Sequence, residues 1–165
     1  MKRAPYFIFY FFVSINAFAE TNLCHANEEV IFSCKVKQKT VSLCFSKENH
    51  GGSKEINYRY GTDSSRVELV YPEPNEASDF QVYSADSAKT GMAVIGFKKG
   101  RYTYSVFHTR SAFGFNGSGV IVKKDQSILQ TSICEEKSVD ANYLFYNVKT
   151  LGRWSENLDY VGPEL

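Results

Sequence analysis

The chain has 165 residues, with 19 Lys or Arg against 18 Asp or Glu. That balance excludes the strongly basic footprint of a nucleic-acid-binding surface, and the length suits one domain with a single core rather than two. Tyr (11) and Phe (13) far outnumber Met (2) and Trp (1), a composition that favours half-buried pleated strands.

In chain order, Met1 to Ala19 reads as a secretory signal peptide: Lys2 and Arg3 form a charged start, Tyr6 to Val13 an apolar run, and Ala17-Phe18-Ala19 an A-x-A cleavage site. The run falls short of the roughly 18 to 20 residues that span a bilayer, and no second run follows. The expectation is a mature domain over 20–165, periplasmic or secreted, with no membrane span after cleavage. Cys24 follows Glu20-Thr21-Asn22-Leu23 rather than small residues, which argues against a lipid anchor.

Glu29 to Val36 and Thr40 to Ser46 alternate apolar and polar positions around Lys37-Gln38-Lys39 and predict a hairpin. Lys47 to Lys54 is a polar loop. Glu55 to Tyr60 and Arg66 to Tyr71 predict a second hairpin, which Pro72 and Pro74 terminate. Asp79 to Tyr83 is a short strand. Gly91 to Lys98 and Arg101 to Thr109 flank Lys99-Gly100, a two-residue turn. Arg110 to Gly119, rich in Gly, Ser and Asn, predicts a loop, and Ser118 to Lys123 with Ser127 to Cys134 a last hairpin across Asp125-Gln126. A short turn or helix is expected near Val139 to Tyr146, and a tail from about 150 carries Trp154, expected to pack onto the domain. Eight to nine short strands with turns between them predict an all-β fold, an antiparallel β-barrel or sandwich.

The even cysteine count in an exported chain points to disulfides. Cys34 alternates with Val30, Phe32 and Val36 on an apolar face, while Cys44 alternates with Thr40, Ser42 and Ser46 on a polar one, so these two should not pair directly. Of the two remaining connectivities, the preferred one joins Cys34 to Cys134 and Cys24 to Cys44. A zinc reading of Cys24, His25, Cys44 and His50 fits no standard ligand spacing and conflicts with an oxidising compartment. No cofactor motif is present, and no enzyme activity is expected. Gly117-Ser118-Gly119 lacks the G-x-S-x-G elbow, and its glycines read as a turn. His108, on one strand face with Tyr102, Tyr104 and Val106, is the remaining candidate for an envelope hydrolase and would need a carboxylate beside it. The strongest contact surface is Arg110 to Gly119, where Ser111, Phe113, Phe115 and Asn116 offer aromatic and polar groups.

Phe32-Ser33-Cys34, the run Gly119 to Asp125, and Ile133-Cys134 resemble the opening and closing elements of the periplasmic C-type lysozyme inhibitor family. That resemblance implies a small antiparallel barrel, a disulfide between the end cysteines, and a Ser-Gly-rich loop that blocks the enzyme. It places Ser111 against the enzyme's acidic centre, with Lys123 or Lys124 as a second contact. The chain departs from the family in its length, its extra cysteine pair, and Ala112 where the family loop has glycine. The expected partner is therefore a protein, a lysozyme-like hydrolase or a secreted toxin. The alternative is a structural envelope or surface module.

Overall fold

The computed structural model describes residues 22–46, 55–125, 127–135, 144 and 146–154. Residues 1–21, where a leader is expected, 47–54 with His50, and 126, 136–143, 145 and 155–165 lie outside the described residues. Two antiparallel meanders follow one another along the chain. The first comprises β1 (Glu28–Val36), β2 (Lys39–Ser46), β3 (Ile56–Gly61) and β4 (Val67–Tyr71), in that spatial order. The second comprises β5 (Gln81–Asp86), β6 (Thr90–Lys99), β7 (Tyr102–Ser111), β8 (Gly117–Lys124) and β9 (Ser127–Ile133). A two-residue β10 (Arg153–Trp154) adds to β5 in parallel and fastens the C-terminal stretch to the sheet.

The fold is therefore all-β, as the strand pattern predicts, and all nine expected strands are present. Of the two architectures left open, it is the sandwich: among the described residues no ladder joins the two sheets into a closed barrel. A short 3-10 turn, Val148–Thr150, packs on β5 and β6. Leu144, from the stretch where a turn or helix is expected, is fully buried in the core.

Three local readings shift. A β-bulge between Val30 and Phe32 re-phases β1: Val30 pairs with Cys44 but Phe32 with Leu43, so Val30 does not share the face of Phe32 and Cys34. The β6–β7 turn is Gly100-Arg101, one residue later than Lys99-Gly100, because Gly100 takes the positive φ (60°) and Lys99 still pairs with Tyr102. Arg110 and Ser111 belong to β7 and Gly117 to Gly119 to β8, which shortens the loop to Ala112 through Asn116.

The core lies between the sheets and is aromatic at its centre. Phe97 stacks on Tyr71 (centroids 4.0 Å apart) and on Tyr104 (5.1 Å), with Tyr58 and Phe80 edge-on to it. The opposite face of the larger sheet carries a second buried cluster of Val94, Phe107 and Ile121. Here the glycines of β8 make room for rings rather than forming a turn. A Cβ on Gly119 would lie 2.6 Å from the Phe107 ring, and one on Gly117 would lie 2.7 Å from the Phe115 ring.

Both disulfides have the expected connectivity, Cys34–Cys134 and Cys24–Cys44. The first joins the inner face of β1 to the end of β9. The second pins the N-terminal arm over the outer face of the smaller sheet. The positions read as a polar face, Thr40, Ser42 and Cys44, are all buried there. The Leu23 amide donates to Ser42 Oγ (2.9 Å), and Ser42 and Ser33 hydroxyls bond to each other (3.1 Å), so the buried polar groups are satisfied.

Candidate functional site

The β7–β8 loop is held by its own side chains. Asn116 accepts from the Ser111 amide through Oδ1 (2.7 Å) and donates through Nδ2 to the Ser111 carbonyl (2.7 Å) and the Gly114 carbonyl (3.3 Å). Ser111 Oγ accepts from the Phe113 amide (3.2 Å). The Ala112 amide donates to the Lys89 carbonyl (2.8 Å), tying the loop to the neighbouring β5–β6 turn. These bonds take over from the strand ladder that ends at Ser111 and define the shape of the loop.

Phe115 and Phe113 then point to different fates. Phe115 folds back onto the Val94–Phe107–Ile121 cluster and anchors the loop. Phe113 stands out at 80% exposure, with the Lys89 ammonium 5.3 Å from its ring centroid. A groove of about 350 Å³ runs beside the loop between Asp86–Thr90 and Arg110–Ser111, bordered by the Arg110–Asp86 ion pair (2.8 Å). Arg110 opens the segment that the sequence singles out as a contact surface, whereas Lys89 and Asp86 had no link to it in the sequence. They join Ser111 only through the register that sets Thr90 opposite Ser111 and Gly91 opposite Arg110.

The lysines are not part of this surface. β8 runs from Gly117 to Lys124 and carries Lys124 roughly 23 Å away along the strand, at about 3.3 Å per residue. There its ammonium lies 5.7 Å from the Tyr102 ring centroid. Lys123 is buried, at 5% exposure. Ser111, Phe113, Phe115 and Asn116 are thus brought together, while Lys123 and Lys124 lie at the other end of the strand.

Two other constellations resolve into structure. His108 Nδ1 and Ser118 Oγ are hydrogen-bonded at 2.9 Å, but Ser118 is only 3% exposed and faces the core, so its hydroxyl is not presented as a nucleophile. Burial, and secondarily the Arg110 charge, hold the His108 pKa below its ordinary value. Cys24, Cys44 and Glu28 lie close together, but both sulfurs are in the disulfide and the Glu28 carboxylate is committed to Arg59. Among the described residues no helix is long and apolar enough to cross a membrane. No protein-family model, curated protein or solved structure matches this chain.

Proposed function

We propose that the chain is an exported binding protein that recognises another protein through the β7–β8 loop, and that its partner is an envelope enzyme such as a cell-wall hydrolase or a secreted toxin. The observation that carries this reading is Phe113, a large apolar ring at 80% exposure on a loop whose backbone is hydrogen-bonded internally. Exposed aromatics on preorganised supports are the usual anchors of protein interfaces, because little ordering entropy is lost when they dock. The flanking groove and the Arg110–Asp86 pair supply a polar rim. Export is supported by the leader-like N-terminus and by the two disulfides, which persist in oxidising compartments. The lysozyme version rests on the family resemblance together with the position of Ser111 beside Phe113.

Inhibition would act by steric occlusion and needs no catalytic residue on this chain. The expected result is that mature protein slows muramidase digestion of cell walls. Phe113→Ala should weaken inhibition by about tenfold or more, the scale of an interface anchor, with thermal stability unchanged. Ser111→Ala should weaken it less, by loosening the loop. Absence of inhibition across several lysozyme classes would reject the hydrolase version, and an unaffected Phe113→Ala variant would reject the loop.

A further inference from the structure

A cavity of about 230 Å³ lies between the two sheets, on the side of the aromatic core nearest the β1–β2 turn. Its walls are apolar and aromatic, with valines from β1, β2 and β8 and the rings of Tyr58, Tyr60 and Tyr104. Gln130 and Ser132 of β9, exposed and half-buried, mark where it meets solvent, and the Gln130 amide donates to the Ser132 hydroxyl along the strand (2.6 Å). Tyr58 is the unusual wall. It is 2% exposed, yet its hydroxyl has no hydrogen-bond partner among the described residues. Buried tyrosine hydroxyls normally find one, since leaving a donor unmade costs its full desolvation.

Burial and, after it, the nearby phenols of Tyr60 and Tyr104 push the Tyr58 pKa far above its ordinary value. The group therefore stays a neutral donor at any working pH. Tyr58, Tyr60 and Tyr104 all line the cavity, so three phenol-bearing rings share its wall. Among the described residues no charged side chain lines the cavity, and Lys39, 5.1 Å from the Tyr60 ring centroid, is paired with Glu68 at 2.5 Å, so the cavity offers no charge to an ionic ligand.

We propose that this cavity binds a small, uncharged aromatic molecule bearing one carbonyl-type acceptor, its ring against the tyrosine wall and its acceptor on the Tyr58 hydroxyl. The size fits: a cavity of about 150 Å³ takes benzene, so this one takes about nine non-hydrogen atoms. The site is separate from the β7–β8 loop, and the proposal stands or falls independently of it.

The test uses the mature protein and two probes of matched size, acetophenone and cumene, which differ in the carbonyl. Binding is followed by NMR on the methyls of Val36, Val41, Val120 and Val122. Both probes should shift these methyls saturably, with acetophenone about fivefold tighter, the scale of one hydrogen bond to a neutral acceptor. Tyr58→Phe should abolish that preference while leaving cumene binding intact. Because it removes a hydroxyl with no partner among the described residues, it should fold normally, as a thermal melt would verify. Leu69→Trp, at the cavity wall, should block both probes. If neither probe shifts the methyls up to its solubility limit, the cavity is not a ligand site. Equal affinity for the two probes, or a carbonyl preference that survives Tyr58→Phe, would overturn the assigned contact. Phe113→Ala should leave all of these values unchanged.

Discussion

The most exacting single interaction is the pair of Glu28 and Arg59 under the N-terminal arm. Its side chains are 5% and 8% exposed, and both guanidinium nitrogens donate to the carboxylate, at 2.5 and 2.8 Å. Glu28 also accepts from the His25 amide at 2.7 Å. Burial alone would raise the Glu28 pKa. The hydrogen bonds from Arg59 and His25 and the charges beside it outweigh burial and bring the pKa below its ordinary 4.5. Since the folded value is the lower one, the contribution of Glu28 is complete above the unfolded pKa and is lost as pH falls through the folded one. Glu28→Ala should cost about 3 to 5 kcal/mol by leaving Arg59 buried and unpaired. In urea melts taken from pH 7 down to pH 3, Glu28→Gln should flatten the acid side of the stability profile relative to the parent. An unchanged profile would show that the pair does not titrate with folding. None of this was legible in the sequence, where Glu28 and Arg59 sit 31 positions apart with no shared motif.

At the scale of elements, β8 shows how a local pattern can be read correctly as strand and wrongly as turn at one end. Gly117-Ser118-Gly119 carries turn-type residues, and only the packed sheet shows what they do: Phe107 and Phe115 occupy the space that side chains there would need. A Cβ on Gly119 would also fall 2.5 Å from the Ser132 carbonyl oxygen of β9, which is backbone and cannot step aside cheaply. Gly119→Ala should therefore destabilise by about 2 to 3 kcal/mol through overpacking, measured by chemical denaturation, whereas Gly100→Asn in the β6–β7 turn should be close to neutral. The same logic explains the β1 bulge. An alternating sequence has no marker for one inserted residue, and Ile31 became legible as core only when the ladder showed Val30 and Phe32 on opposite faces. The hairpins themselves were readable because each couples a period-two pattern to a turn residue, and neither signal depends on the rest of the fold.

For the whole molecule, the two disulfides close loops of very different length, separated by 100 and 20 residues. In the chain-entropy picture, removing Cys34–Cys134 as a double alanine variant should cost about 4 to 5 kcal/mol, and removing Cys24–Cys44 about 3 kcal/mol. Denaturation of the two variants side by side would check the order, and a larger loss from the shorter loop would show that the arm over the smaller sheet matters more than loop closure. The sequence by itself determined the fold class and the strands and set aside a Cys34–Cys44 bond, because alternation decides which side chains share a face; it left two connectivities, and the structure has the preferred one. It also marked Ser111, Phe113, Phe115 and Asn116 as one segment. Only the tertiary structure decided that Asn116 locks that segment while Phe113, of its two rings, projects from it, and that Lys123 and Lys124 lie a strand's length away. It alone put Tyr58, whose hydroxyl has no hydrogen-bond partner among the described residues, in the wall of a cavity between the sheets. The physical reason is that strand pattern is a local property of the chain, whereas exposure, register and cavities arise from how two sheets pack against each other.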